Sequence, residues 1–209
     1  DPWAQAWLDH GFAFFSVNYR GSVTFGRDFQ EKINGDLGHW EVEDMVAGRD
    51  WLVAQGIARP DQIFLTGWSY GGYLTLMGLG VRPDLWAGGM AGVAIADWAI
   101  QYEDTADTLK GYQVALLGGT PQTAAEQYRR SSPITYAEHV RARDVAVTRV
   151  AKLLALDGAA GRVVLRVEEQ HHGLVAQRRE RHRLALVRLK REIRGLIADL
   201  EHVNLLLRG

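Results

Sequence analysis

The sequence predicts an α/β fold in which crossover helices connect the strands of a parallel sheet. Short apolar runs, of the kind that form strands buried on both faces, occur at residues 12–18, 62–67 and 88–96. Between these runs, apolar residues recur at helical spacing in two segments that begin at Val42 and at Leu74. Strands that alternate with helices are typical of parallel sheets, because parallel neighbours need a long crossover connection.

Glycines mark where the predicted elements end. Gly11 follows a first helix predicted for residues 4–9, and a glycine-rich loop at residues 20–26 follows the first strand. Gly56 ends the helix that begins at Val42, and Gly80 ends the next one. The elements therefore follow each other in the order helix, strand, helix, strand, helix, strand.

Composition excludes several classes of function. The chain has 209 residues, no cysteine and a net charge of −1, so we expect no disulfide framework, no thiolate metal site and no affinity for nucleic acid or an anionic membrane. It has no run of about 18 apolar residues, and its first residues lack the basic and apolar parts of a signal peptide. We expect a cytoplasmic protein without metal or cofactor.

Charge and aromatic content divide the chain into two segments. Residues 1–140 hold 9 of the 24 Lys and Arg but 17 of the 25 Asp and Glu, a net charge of −8, whereas residues 141–209 have a net charge of +7. All seven Trp and all six Phe lie before residue 100. We predict a truncated α/β domain over residues 1–142 and a basic, largely helical tail over residues 143–209, with a single domain as the alternative.

Apolar residues in the tail repeat at the spacing of a coiled coil. Steps of three and four connect Leu186, Leu189, Ile193, Leu196, Leu200, Val203 and Leu207. This repeat predicts one helix of about 20 residues across positions 186–207. Such a helix would cover an open sheet edge, associate with a second copy of the chain, or belong to a tail of different origin.

One pentapeptide carries the chemistry: Gly67-Trp68-Ser69-Tyr70-Gly71 lies between a predicted strand and a predicted helix. A serine that projects from such a sharp turn needs glycine two residues away on either side, because the backbone there is strained and crowded. We predict that Ser69 is a nucleophile of the α/β-hydrolase type and that the backbone N–H of Tyr70 is an oxyanion donor. A glycine-rich turn with a non-catalytic serine is the alternative.

Further motifs accompany this turn within residues 1–142. They are Asn18-Tyr19-Arg20-Gly21-Ser22, Gly26-Arg27-Asp28-Phe29, Gly35-Asp36-Leu37-Gly38, Val42-Glu43-Asp44, the extended Gly67-Trp68-Ser69-Tyr70-Gly71-Gly72-Tyr73, and Ser131-Ser132-Pro133-Ile134. Together they resemble the catalytic domain of the prolyl oligopeptidase family, particularly its dipeptidyl-peptidase and acylaminoacyl-peptidase branches. The resemblance implies a partial α/β-hydrolase fold and cleavage of short peptides through an acyl-enzyme. It also implies that Trp98 and Tyr102 line the pocket for the residue before the cut.

The chain departs from that family at both ends of the matching region. The family places a β-propeller and a strand with a His-Gly-Gly segment before it, so we expect the second oxyanion donor to be missing. After Ala142 the family continues with a proline-led strand and the catalytic aspartate, whereas this chain reads Arg143-Asp144-Val145-Ala146. The resemblance by motif therefore ends near residue 142.

The base that would activate Ser69 is not evident. The required order is Ser, Asp, His, and Asp157 with His172 is the pair whose neighbours are similar to the family's. Only residues 158–162 separate the two strands predicted around Asp157, so those strands would form an antiparallel hairpin that carries His172 away from it. We expect little or no peptidase activity from the 209-residue chain. An esterase or thioesterase, and a non-catalytic fragment or binding module, are the alternatives.

Overall fold

The structure, a computed structural model, describes residues 2–142, 144–148 and 203–208. Within them the helices are α1 (Pro2–Asp9), α2 (Arg27–Glu31), α3 (Trp40–Ala54), α4 (Tyr70–Val81), α5 (Trp98–Asp104), α6 (Asp107–Leu117) and α7 (Ala125–Ser131), with a 3-10 helix at Pro133–His139. The strands are β1 (Phe12–Ser16), β2 (Ile63–Trp68), β3 (Gly88–Gly92), β4 (Asp144–Thr148) and β5 (Val203–Arg208). None of these described helices is both long and apolar enough to cross a bilayer.

The described strands form one mixed sheet in the order β1-β5-β2-β3-β4. Strand β2 is parallel to β3, and β3 is parallel to β4. Helix α4 is the crossover between β2 and β3. The predicted α/β fold with a parallel sheet is therefore confirmed. Because β2 is the middle strand, the residue after it lies at the centre of the carboxyl edge of the sheet.

Strand β5 corrects the prediction for the end of the tail. The apolar repeat predicted a helix through Val203 and Leu207, but β5 pairs antiparallel with β1 on one side and with β2 on the other. These two ladders satisfy its backbone N–H and C=O groups, which a helix would have satisfied within itself. Positions 186–202 of the predicted helix, and self-association through it, lie outside the described residues.

Strand β4 extends the parallel sheet beyond residue 142. It pairs with β3 in a register that runs from Gly88 opposite Asp144 to Gly92 opposite Thr148. Regular structure thus passes the predicted boundary between the two segments. The division of the chain at residue 142 stays a prediction, because residues 149–202 lie outside the described part.

Helix α4 forms the centre of the hydrophobic core and supports the turn that precedes it. Its Leu74 and Leu79 pack with Leu65 of β2 and with Met45 of α3, all of them buried. Burial of each such side chain contributes about 1.5–3 kcal/mol. The start of α4 is therefore fixed relative to the sheet.

Candidate active site

Ser69 lies at a sharp turn between β2 and α4. Its φ of 54° and ψ of −114° are strained for a residue with a side chain, at a cost of about 1–3 kcal/mol. The turn is held by hydrogen bonds from Ser69 N–H to the Gly92 carbonyl (2.8 Å) and from Tyr73 N–H to the Ser69 carbonyl (2.9 Å). Ser69 is exposed. The turn that the Gly-x-Ser-x-Gly pattern predicts is present, and the catalytic role of Ser69 stays a prediction.

Gly67 and Gly71 make this turn possible because their backbones touch. A Cβ atom at Gly67 would lie 2.4 Å from the carbonyl carbon of Gly71 and 2.8 Å from its Cα. Both are main-chain atoms, which move aside only if the turn opens. The motif therefore needs glycine at position 67 for steric reasons that are independent of catalysis.

Replacing Gly67 by Ala is expected to lower the free energy of unfolding by about 3 kcal/mol, the upper part of the range for overpacking, because the contacted atoms are backbone. Chemical denaturation of the 209-residue chain measures the change. Gly111→Ala is the matched control: a Cβ there meets nothing within 4 Å, and helix propensity predicts a gain of about 0.5–1 kcal/mol. If Gly67→Ala leaves the free energy of unfolding unchanged, the backbone atoms of Gly71 do not crowd position 67.

Tyr70 is the first residue of α4, so its N–H has no partner inside the helix and lies at the positive end of the helix dipole. Its ring centroid is 5.2 Å from that of Tyr73, 6.3 Å from that of Trp98 and 6.4 Å from that of Tyr19. Its hydroxyl donates to Oε1 of Glu41 at 2.6 Å. Tyr70 is thus fixed at both ends, by the helix and by this hydrogen bond.

The sequence patterns above do not single out Glu41, a carboxylate with 0% exposure at the start of α3. Its Oε2 accepts a hydrogen bond from the Gly38 N–H at 3.0 Å. Burial raises the pKa of Glu41 from 4.5 to about 7, against the opposing effect of the hydrogen bond from Tyr70. One feature of the sequence points to this burial: Glu41 precedes Met45 by one helical turn, on the face that α3 buries.

Trp98, one of the two predicted pocket residues, packs beside the turn. It is buried, and its ring meets Tyr73 edge-on at 5.2 Å and lies 6.3 Å from Tyr70. Its N–H donates to Ser132 Oγ at 2.9 Å, and its carbonyl accepts from Gln113 Nε2 at 2.7 Å. Both backbone groups of Trp98 are therefore held by side chains, which fixes the indole next to Tyr70.

Tyr102, the other predicted pocket residue, has different neighbours. Its half-buried ring meets Tyr128 edge-on at 6.3 Å, and the ammonium of Lys110 lies 5.5 Å from its centroid. These contacts tie α5 to α6 and α7. The pocket roles of Trp98 and Tyr102 stay predictions.

Motifs that are distant in the sequence meet around the turn. The guanidinium of Arg20 donates to Asp44, with an Nη2–Oδ1 distance of 2.6 Å, and the Arg20 N–H donates to the same carboxylate at 2.7 Å. Ser131 Oγ donates to the Leu37 carbonyl at 3.1 Å. The segments at residues 18–22 and 42–44 are therefore joined to each other, and so are those at residues 35–38 and 131–134.

The histidines within residues 2–142 have contacts with groups other than Ser69. These are the Ala6 carbonyl for His10, the Asp36 carboxylate for His39 and the Tyr136 ring for His139. The predicted triad partners, Asp157 and His172, lie outside the described residues. Their roles as orienting carboxylate and base stay predictions.

Most of this chain is similar to known proteins. The model of the prolyl oligopeptidase family matches residues 1–166, which extends past the end of the motif resemblance near residue 142. Dipeptidyl aminopeptidase BIII of Pseudoxanthomonas mexicana is 33% identical, and the match covers 67% of this chain and 22% of that protein. The chain thus spans about a fifth of the length of this relative.

Solved structures of peptidases with the α/β-hydrolase fold match as well. A puromycin-hydrolyzing peptidase of Mycobacterium tuberculosis has a TM-score of 0.59 at 30% identity, covering 64% of this chain and 20% of that one. Acylaminoacyl peptidase of Pyrococcus horikoshii has a TM-score of 0.56 at 29% identity, covering 63% of this chain and 21% of that one. The described sheet and helices therefore have the α/β-hydrolase fold.

Proposed function

The chain belongs to the prolyl oligopeptidase family, and we propose that the protein is a serine-type peptidase that cleaves short peptides through an acyl-enzyme on Ser69. The observation that carries this proposal is the turn itself: an exposed serine with strained backbone, at the carboxyl end of the middle strand. The next residue, Tyr70, is the first of a helix, and its N–H is therefore directed away from the carbonyls of that helix.

The chemistry follows from this placement. Ser69 Oγ attacks the carbonyl carbon of the peptide bond while a base takes its proton, and the amine leaves with that proton as the C–N bond breaks. Water then releases the acyl group from Oγ. The Tyr70 N–H stabilises the negative oxygen of the tetrahedral intermediate, a contribution of about 2.7–4 kcal/mol for a donor of this kind. Asp157 and His172 are the candidates for the carboxylate and the base.

Peptides are the favoured class of substrate. The proteins most similar in sequence and structure include those named dipeptidyl aminopeptidase and acylaminoacyl peptidase. The aromatic ring of Tyr70, the residue after Ser69, lies 6.3 Å from that of Trp98, and such a pair would suit an apolar side chain before the cut. These observations favour a peptidase over the esterase or thioesterase that the same turn allows.

Two further features stay predictions. A cytoplasmic location is supported by the absence of cysteine from the chain. Self-association through the helix predicted for positions 186–207 stays a prediction for positions 186–202 alone, where the apolar repeat supports it, because residues 203–208 form β5. Sedimentation of the 209-residue chain, with and without the two changes Ile193→Asp and Leu200→Asp, tests this prediction. If wild type and variant sediment with the same mass, the predicted interface does not exist.

The proposal is tested by where a fluorophosphonate reacts. After long incubation of the 209-residue chain, peptide mapping by mass spectrometry is expected to find the adduct on Ser69. Even without a triad member, an oxyanion site retains about 10³–10⁴-fold rate enhancement over water, which ordinary serines lack. Ser69→Ala should abolish the adduct, and Ser22→Ala, which alters a serine of the loop at residues 20–26, should leave it unchanged. An adduct spread over other serines would contradict the proposal.

A further inference from the structure

The hydrogen bond between Tyr70 and Glu41 ties the candidate oxyanion donor to a buried carboxylate. Tyr70 contributes its amide to the site at one end and its hydroxyl to Glu41 at the other, with an Oη–Oε1 distance of 2.6 Å. The second carboxylate oxygen is held by the Gly38 N–H at 3.0 Å. Position 38 requires glycine, because its φ is +83° and a Cβ would lie 2.4 Å from the Tyr73 hydroxyl.

We infer that Glu41 is a positioning residue of the active site: it fixes the Tyr70 side chain and thereby aims the Tyr70 N–H at the oxyanion. The role in catalysis rests on the proposed function, whereas the positioning of the turn does not. A carboxylate that accepts from a hydroxyl and an amide forms charge-assisted hydrogen bonds, which are about twice as strong as neutral ones. A buried acceptor of this kind holds its donors in one geometry.

The groups around Glu41 define its electrostatic environment. The Arg20 guanidinium attracts its charge, and Asp36 opposes it. Tyr73 of α4 and Tyr19 face the same cluster, and burial raises the pKa values of Tyr70 and Tyr73 well above the ordinary range. Both tyrosines are therefore neutral near neutral pH, and Tyr70 donates its hydroxyl hydrogen to Glu41 Oε1, whose carboxyl is ionised above its pKa of about 7.

Fixing Tyr70 matters because catalysis tolerates little displacement. A misplacement of about 1 Å costs on the order of 10²-fold in rate. The hydrogen bonds that hold the turn itself, from Ser69 to Gly92 and from Tyr73 to Ser69, lie on either side of Tyr70 in the chain. Loosening the Tyr70 ring is thus expected to affect both of these bonds and the direction of its own N–H.

Tyr70→Phe in the 209-residue chain tests the inference, since it removes only the hydroxyl. Hydrogen exchange of peptides covering residues 64–74 is expected to rise about tenfold, as for the loss of one hydrogen bond to a charged group. The maximal rate of fluorophosphonate reaction at Ser69 should fall about tenfold, with the apparent affinity for the probe unchanged. The change in rate without a change in affinity distinguishes positioning from a loss of binding surface.

Two variants complete the experiment. Glu41→Gln keeps an oxygen that accepts from Gly38 and an NH₂ that donates to the Tyr70 hydroxyl, but it loses the charge, so exchange should lie between that of wild type and that of Tyr70→Phe. Tyr136→Phe is the control, because it also removes one tyrosine hydroxyl, but one that donates to the Arg130 carbonyl at 2.9 Å. It should leave exchange and reaction rate within about twofold.

The outcomes separate the two proposals. If hydrogen exchange at residues 64–74 is as slow in Tyr70→Phe as in wild type, the positioning role is overturned, whether or not Ser69 reacts. Faster exchange in Tyr70→Phe together with no adduct on wild-type Ser69 would uphold the positioning of the turn and refute the proposed function. Equal effects of Tyr70→Phe and Tyr136→Phe would also overturn the inference, because the hydrogen bond to Glu41 would then have no specific effect.

Discussion

The 209-residue chain is expected to react with a fluorophosphonate about 10⁴-fold or more slowly than a serine peptidase with a complete triad. Ser69 becomes strongly nucleophilic only when an imidazole takes its proton. The histidines described within residues 2–142 contact other groups, and the hairpin predicted near Asp157 carries His172 away from it. The measurement is the second-order rate constant of labelling at neutral pH.

Histidine variants decide what a different result means. Fast labelling that is lost in both Ser69→Ala and His172→Ala would contradict the predicted hairpin and establish Asp157 and His172 as triad partners. Fast labelling that is lost only in Ser69→Ala would assign the base to another histidine. His182→Ala is the control for His172→Ala, since it removes a histidine from the same basic segment, outside the predicted pair.

The parts of the fold that local patterns encode were predictable. Strands β1, β2 and β3 and helices α3 and α4 each have an apolar period or run of their own, bounded by glycine. The turn at Ser69 was predictable because steric crowding between Gly67 and Gly71 is a local property of five residues. Such features need no knowledge of which segments meet in space.

The parts of the fold that depend on pairing between distant segments were not predictable from local patterns. Residues 203–208 satisfy a helical repeat, yet they pair with Phe12–Ser16 and with β2, a choice that local periodicity does not contain. Short helices such as α5 and α7 have too few turns to show a clear period. Glu41 was missed for the same reason, since its role depends on Tyr70, 29 positions later.

Glu41 is expected to lower the free energy of unfolding by about 3 kcal/mol as the pH rises from about 5 to about 8. Burial raises the pKa of this carboxyl from 4.5 to about 7 in the folded chain. The folded state therefore binds the proton more tightly than the unfolded state, and stability falls between these two values at about 1.4 kcal/mol per pH unit. Above about pH 8 both states are ionised at this position, and the contribution becomes constant.

Glu41→Gln isolates this contribution, because the amide does not titrate. Urea denaturation of both proteins at several pH values should show the variant gaining about 3 kcal/mol relative to wild type across the range, with most of the gain below about pH 7. Glu43→Gln is the matched control on the same helix: its half-exposed carboxylate pairs with Arg82 at the surface, so the change in the free energy of unfolding should stay within about 1 kcal/mol. The opposite result is a difference in free energy of unfolding between Glu41→Gln and wild type that stays constant with pH. That result would mean that water or a nearby cation stabilises the charged Glu41 carboxylate in the folded chain as well as bulk solvent does.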